Sequence, residues 1–200
     1  MTKAADHPDL ALRGAVKFVA LANLAYFGVE FAVAVAIGSV SLFADSIDFL
    51  EDASVNTLIL IALGWSLRAR GRLGMALAGL LLVPSLATLW MAWEKVAAQV
   101  PPAPVPLTLA GAGALAVNMT CAFVLARHRH HKGSLIKAAF LSARNDALAN
   151  VAIILAGFAT ALTLSAWPDL IVGLAIAAMN ATAAREVWEA AREEKLTAEA

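Results

Sequence analysis

The sequence predicts an all-α membrane protein with six transmembrane helices, on the evidence of its apolar fraction, the spacing of its apolar runs and the placement of its basic residues. Of 200 residues, 61% are hydrophobic and 15% charged, whereas a soluble domain holds roughly half and a quarter. Apolar side chains in that excess must face lipid as well as one another. A spanning helix needs about 20 mostly apolar residues, so six spans with short connections would use nearly the whole chain. No separate soluble domain is expected.

The first apolar run covers 15–38. The segment before it, 1–14, mixes charges and has neither a long apolar core nor a small-residue cleavage site, so it reads as a polar tail and not as a signal peptide. Ser39-Val40-Ser41 follows at once. It leaves room only for a tight turn, which makes spans one and two neighbours. The second span is expected over 42–67 and the third over 73–93, with Pro101, Pro102, Pro104 and Pro106 breaking the chain after it. Those prolines mark a loop. The fourth span covers 107–125 and the fifth 134–164; Ala166-Trp167-Pro168-Asp169 then leads into a sixth over 170–184, with Pro168 suited to its first turn. The expected organisation is a tail at 1–14, a six-helix membrane domain at 15–184 and a short charged, helix-prone C-terminal tail at 185–200.

Lys and Arg collect on the cytoplasmic side of membrane proteins, which tests the span count independently of hydropathy. With the N-terminus inside, the inner segments hold Lys3, Arg13 and Lys17, then Arg68, Arg70 and Arg72, then Arg127, Arg129 and Lys132, and last Arg185, Arg192 and Lys195. Lys95 falls in an outer loop. Both termini are thus expected in the cytoplasm, as for a bacterial inner-membrane protein. Trp65, Trp90, Trp93, Trp167 and Trp188 stand near span ends as interfacial anchors. Zero formal net charge gives no whole-chain attraction to nucleic acid. The single Cys121 excludes an internal disulfide and a multi-thiolate site, and reads as a small core residue.

Carboxylates inside a bilayer cost several kcal/mol each and mark functional sites. In span two, Asp45, Asp48 and Asp52 fall within roughly 60° of one another on a helix of 3.6 residues per turn, and Asn56 continues the stripe. Like charges so placed need protonation, water or a cation between them. Glu51 points further round. In span five, Ser142, Asp146 and Asn150 share another stripe. Carboxylates from two helices, with hydroxyl or amide oxygens beside them, make an oxygen-rich pocket suited to a compact divalent cation. Arg144 lies nearly opposite Asp146 and is expected to pair elsewhere, with Glu51 as one partner. Asn23, Tyr26 and Glu30 share a face of span one, either lining the pathway or bonding to neighbouring helices. His128, His130 and His131 are interleaved with Arg127, Arg129 and Lys132, which disfavours tight metal binding. A solvated basic loop is expected there. No span carries a histidine ligand motif or a nucleophile and base pair, so an enzyme is not expected.

From Glu30 through Asp52, with Gly38-Ser39-Val40-Ser41-Leu42-Phe43-Ala44-Asp45 leading into Asp48 and Asp52, and again at Ser142-Ala143-Arg144-Asn145-Asp146-Ala147-Leu148-Ala149-Asn150, the chain resembles the cation diffusion facilitator family of metal-ion/proton antiporters. The resemblance covers about 16–184. It implies a tetrahedral transport site formed by Asp48, Asp52, Ser142 and Asp146. Many zinc-selective members have His where this chain has Ser142, and often His in place of Asp48; Asn145 or Asn150 is an alternative fourth ligand, and Asp45 stands at the margin. Oxygen donors admit several first-row ions. The resemblance therefore implies an exporter of zinc or of manganese, iron or cobalt, exchanging metal for protons, homodimeric, with no permanently bound cofactor. Typical members continue into a cytoplasmic ferredoxin-like domain for which this sequence has no counterpart, so a dimer interface among the membrane helices is expected. The alternative is a membrane protein that binds or senses metal without transporting it.

Overall fold

The structure, a computed structural model, describes residues 6–62, 86–127 and 134–197, with the side chains at 6–10, 59, 62, 134–144 and most positions beyond 182 outside the description. The arginines at 68, 70 and 72, Trp65, the start of the third span, the histidine-rich loop and the side chains of Ser142 and Arg144 all lie outside the described residues. All described elements are helices: α1 (Asp6–Ile37), α2 (Val40–Ala62), α3 (86–98), α4 (Pro104–Ala126), α5 (Ser134–Thr163) and α6 (Trp167–Thr197). The segments Ala11–Ile37, Pro104–Ala126 and Asn145–Thr163 are long and apolar enough to cross a bilayer on composition alone, and Trp167–Thr182 is a shorter apolar helix. α2 is of spanning length too, but it carries Asp45, Asp48, Glu51 and Asp52.

Helix ends differ from the expected spans for local reasons. α4 begins at Pro104, after an extended Ala103, so Pro104 and Pro106 sit in its first turn and not in the loop. Those positions need no amide donor, and the fixed φ of proline suits them. α1 starts ahead of its apolar run, at Asp6, and α6 continues to Thr197 through the expected tail. An exposed Arg185–Glu189 pair, Nε to Oε1 2.8 Å, bridges one turn of that extension. Its stabilising effect is small at such exposure.

The turn between α1 and α2 is built by two capping devices. Gly38 takes φ +63°, and the Ser39 amide returns to the Ala34 carbonyl at 3.0 Å, the six-to-one bond of a Schellman ending. Ser39 then caps α2, its Oγ accepting from the Leu42 amide at 3.2 Å. The chain reverses within two residues, so α1 and α2 pack side by side.

α1 packs on α2 and α4, α6 on α2 and α5, and α4 on α5, closing a ring across which α2 also meets α5. α3 contributes Ala92 to an apolar cluster with Val40, Ala166 and Leu170. Close approach of α6 to α2 depends on Gly173, where an added Cβ would stand 2.7 Å from the Ser41 amide nitrogen and the Val40 carbonyl carbon. Backbone cannot yield as a flexible side chain can. Gly173→Ala is expected to cost about 1–3 kcal/mol, seen as a lower unfolding temperature in detergent; an unchanged temperature would mean that α6 can shift freely.

The interior is stratified. One cluster, Ala34, Leu42, Ala44, Leu107, Ala110, Ile153 and Ile176, lies toward the α1–α2 turn, and another, Val19, Cys121, Ala122 and Leu125, toward the opposite end. Between them buried Asn23, Glu30, Asp45, Asn56, Asn118 and Asn150 form a polar belt. The outer surface is the reverse: Leu21, Leu109, Phe123, Leu155, Phe158 and Ile171 are exposed. Polar atoms inside and apolar side chains outside suit a bundle whose solvent is lipid.

Candidate metal site

α2 carries its acids onto the inner side of the ring between two buried flanks, Leu42, Phe49 and Ala53 on one side and Ala44 and Ile47 on the other. Asp48 and Asp52 are half-buried, as is Asp146 on α5. Asp146 is the carboxylate that acts most strongly on Asp48, followed by Asp45, Glu51 and Asp52. The two helices thus bring together the acidic residues that the sequence places on separate stripes. Among the described residues no three His, Cys, Asp or Glu side chains close to the spacing of a finished metal site.

Asp52 is oriented from outside its own helix. Asn23 on α1 donates its Nδ2 to Asp52 Oδ2 at 3.3 Å, while the Asn23 Oδ1 accepts from the Cys121 thiol at 3.6 Å. That thiol sets which end of the Asn23 amide faces the carboxylate. Cys121 is buried as expected of a core residue, and this hydrogen bond adds an orienting role that its place in an apolar run did not signal.

The other stripe residues separate. Asp45 is sealed, with Asn150 Nδ2 donating to its Oδ2 at 2.6 Å and Asn118 Nδ2 donating in turn to Asn150 Oδ1 at 2.9 Å. Asn145 is exposed on α5, and Asn56 turns back to donate to the Asp52 carbonyl at 2.8 Å. The repeated Asp-to-Asn spacing of α2 and α5 therefore serves two purposes: Asn56 bonds its own helix, and Asn150 bridges to another. Tyr26 crosses from α1 to α4, donating to the Ala110 carbonyl at 2.6 Å, and Gly113 leaves room for its ring.

One residue central to this architecture went unnoticed in the sequence. Asp169, in the first turn of α6, is fully buried and accepts at Oδ1 from the Ser39 hydroxyl (2.7 Å), the Ser41 hydroxyl (2.6 Å) and the Ser41 amide (3.2 Å), and at Oδ2 from the Val40 amide (2.9 Å). It holds the N-terminus of α2, where unpaired amides and the helix dipole favour an anion. Lys95 of α3 donates to the Gly38 carbonyl beside it. A lone Asp after Pro168 and two serines at the head of an acidic helix were the available signal, and nothing in their spacing links them.

A polytopic helical bundle that keeps ionisable oxygen donors in its centre and apolar side chains on its rim defines an integral membrane protein of the ion-carrying class. The family model described as "Cation efflux transmembrane domain" matches residues 16–193. The chain belongs to that family, the cation diffusion facilitators, and is a divalent-cation transporter of that kind. Among curated proteins none matches the chain.

Proposed function

We propose that the chain exports a first-row divalent ion, zinc or one of manganese, iron and cobalt, from the cytoplasm in exchange for protons. The observation that supports this is that Asp146 on α5 and Asp52 on α2 both stand near enough to Asp48 for their charges to act on it inside the bundle. Ser142, one turn before Asp146 on α5, is the fourth ligand in this reading. Asn150 is already engaged by Asp45 and Asn118, and the exposure of Asn145 counts against its taking that place.

The ligands bind metal as carboxylates, so protons and metal compete for the same oxygens. Alternating access converts that competition into antiport: metal arriving from the cytoplasm displaces protons, and protons entering from outside release it. In this reading both termini face the cytoplasm of a bacterial inner membrane, an orientation that the positive-inside pattern supports. The exposed apolar faces of the helices are available for homodimerisation.

Proteoliposomes loaded with zinc, manganese, iron, cobalt or cadmium under an imposed pH gradient test the reading. Metal flux should rise with the opposing proton gradient, and flux indifferent to it would remove the antiport mechanism. Ser142→His should shift preference toward zinc by about tenfold, because imidazole favours zinc over the harder ions; an unchanged preference would take Ser142 out of the site.

A further inference from the structure

Glu30 on α1 and Asp45 on α2 are both completely buried, and three of their four carboxyl oxygens, both of Glu30 and Oδ1 of Asp45, receive no donor from any group outside the pair among the described residues; the two carboxyl groups stand within hydrogen-bonding reach of each other. The two carboxyl groups act on each other across the α1–α2 contact. Neighbouring donors are committed elsewhere. The Tyr26 hydroxyl goes to the Ala110 carbonyl, the Asn23 amide to Asp52, the Ser46 hydroxyl to the Phe43 carbonyl and the Asn56 amide to the Asp52 carbonyl. Lys95, the buried basic residue at this end among the described residues, goes to the Gly38 carbonyl.

Two carboxyl groups facing each other in a low-dielectric interior without an outside donor need a proton or a cation between them. Here Asn150 fixes the direction of Asp45 through its Oδ2, and the free Oδ1 is left on the same carboxylate as Glu30's neighbour. Two carboxylates with no basic partner among the described residues carry the charge that balances one divalent ion, and an all-oxygen donor set suits a hard cation. Along α2, Asp45 precedes Asp48 by one turn, about 4.5 Å of rise, and lies nearer the α1–α2 turn.

We infer that Glu30 and Asp45 form a second divalent-cation station, separate from Asp48, Asp52 and Asp146 and displaced from it toward the α1–α2 turn. This rests on the proposed transport function and adds to it a second binding position on the path. In the orientation proposed above, that position lies between the transport site and the outer face. A cation leaving the Asp48 carboxylate would be drawn to it, which shortens the step out of the deeper site. Asn118 and Asn150 are then positioning residues for Asp45.

The test counts ions. Purified protein in detergent is dialysed to equilibrium against Zn²⁺ and, separately, Mn²⁺, and bound metal per chain is measured by mass spectrometry. The wild type should hold two ions per chain with at least one of these metals. Glu30→Gln, of equal size, and Asp45→Asn should each hold one, while eluting as the wild type does in size exclusion. A Glu30→Gln protein holding as many ions as the wild type would overturn the second station. The Asp48→Asn/Asp146→Asn double variant keeps the two ideas apart. If it loses no ion while Glu30→Gln loses one, the transport site is misassigned and the Glu30 station stands.

Discussion

Asp146→Ala should reduce metal flux in proteoliposomes to the level of empty vesicles. Asp146 is the group on α5 whose charge reaches Asp48 most strongly. Without it the remaining acids of the proposed transport site, Asp48 and Asp52, come from a single helix and would approach an ion from one side. A compact first-row ion surrounded by four ligands needs donors from both sides. The lost anionic ligand is expected to weaken binding by at least about 100-fold, or roughly 2.7 kcal/mol. Asp48→Ala should behave alike, and Asp146→Asn separates charge from shape by keeping one oxygen. Fluorescent-indicator flux on reconstituted protein checks this. Full flux in Asp146→Ala would show that α5 supplies no ligand.

Asp169→Ala is the substitution expected to cost most stability. It would leave two serine hydroxyls and two backbone amides at the head of α2 without their acceptor. Each unsatisfied buried donor costs about 1–3 kcal/mol, and relaxation toward water at the helix end would recover part of that, so a net loss of about 3–5 kcal/mol is expected. Ser39→Ala, which removes one hydroxyl, should cost only about 1 kcal/mol. Thermal unfolding in detergent measures both. Equal unfolding temperatures for Asp169→Ala and the wild type would mean that α2 is held by apolar packing alone. A displaced α2 would also move Asp48 and Asp52, so transport should fall together with stability.

The helical class was legible because the bilayer leaves few alternatives. A chain this apolar must satisfy its backbone internally, and runs near 20 residues set the number of helices. The tight turn after Gly38 was legible too, since a glycine followed by Ser39 at the head of an apolar run signals a helix end and a helix start. Helix ends elsewhere were not. Pro104 and Pro106 read as loop residues, yet proline at the first helical positions is favourable, and α4 starts on them. The C-terminal extension of α6 is the exception: the segment from 185 reads as helix-prone, and the helix runs through it to Thr197.

The acidic stripe shows where periodicity stops being informative. Asp45, Asp48 and Asp52 share a face of α2, so spacing alone groups them. The structure divides them by what stands opposite: Asp146 faces Asp48, Asn23 faces Asp52, and Asn150 with Glu30 faces Asp45. Glu30 lay on a face of α1 with Asn23 and Tyr26, and its burial against Asp45 depends on how closely α1 and α2 pack.

By itself the sequence determined that this is an all-helical membrane protein, that its acids lie on two of the helices, α2 and α5, and that it resembles the cation diffusion facilitators. These follow from composition and from periods of a few residues, which are local properties of the chain. Only the tertiary structure decided which carboxylates meet, that Asp169 holds the start of α2 from more than a hundred residues away, and that Asp45 is engaged by Asn150 and Glu30. Such pairings depend on the order and spacing of helices in the bundle. That order is set by close approaches such as Gly173 against the α2 backbone, and no period within a single helix contains it.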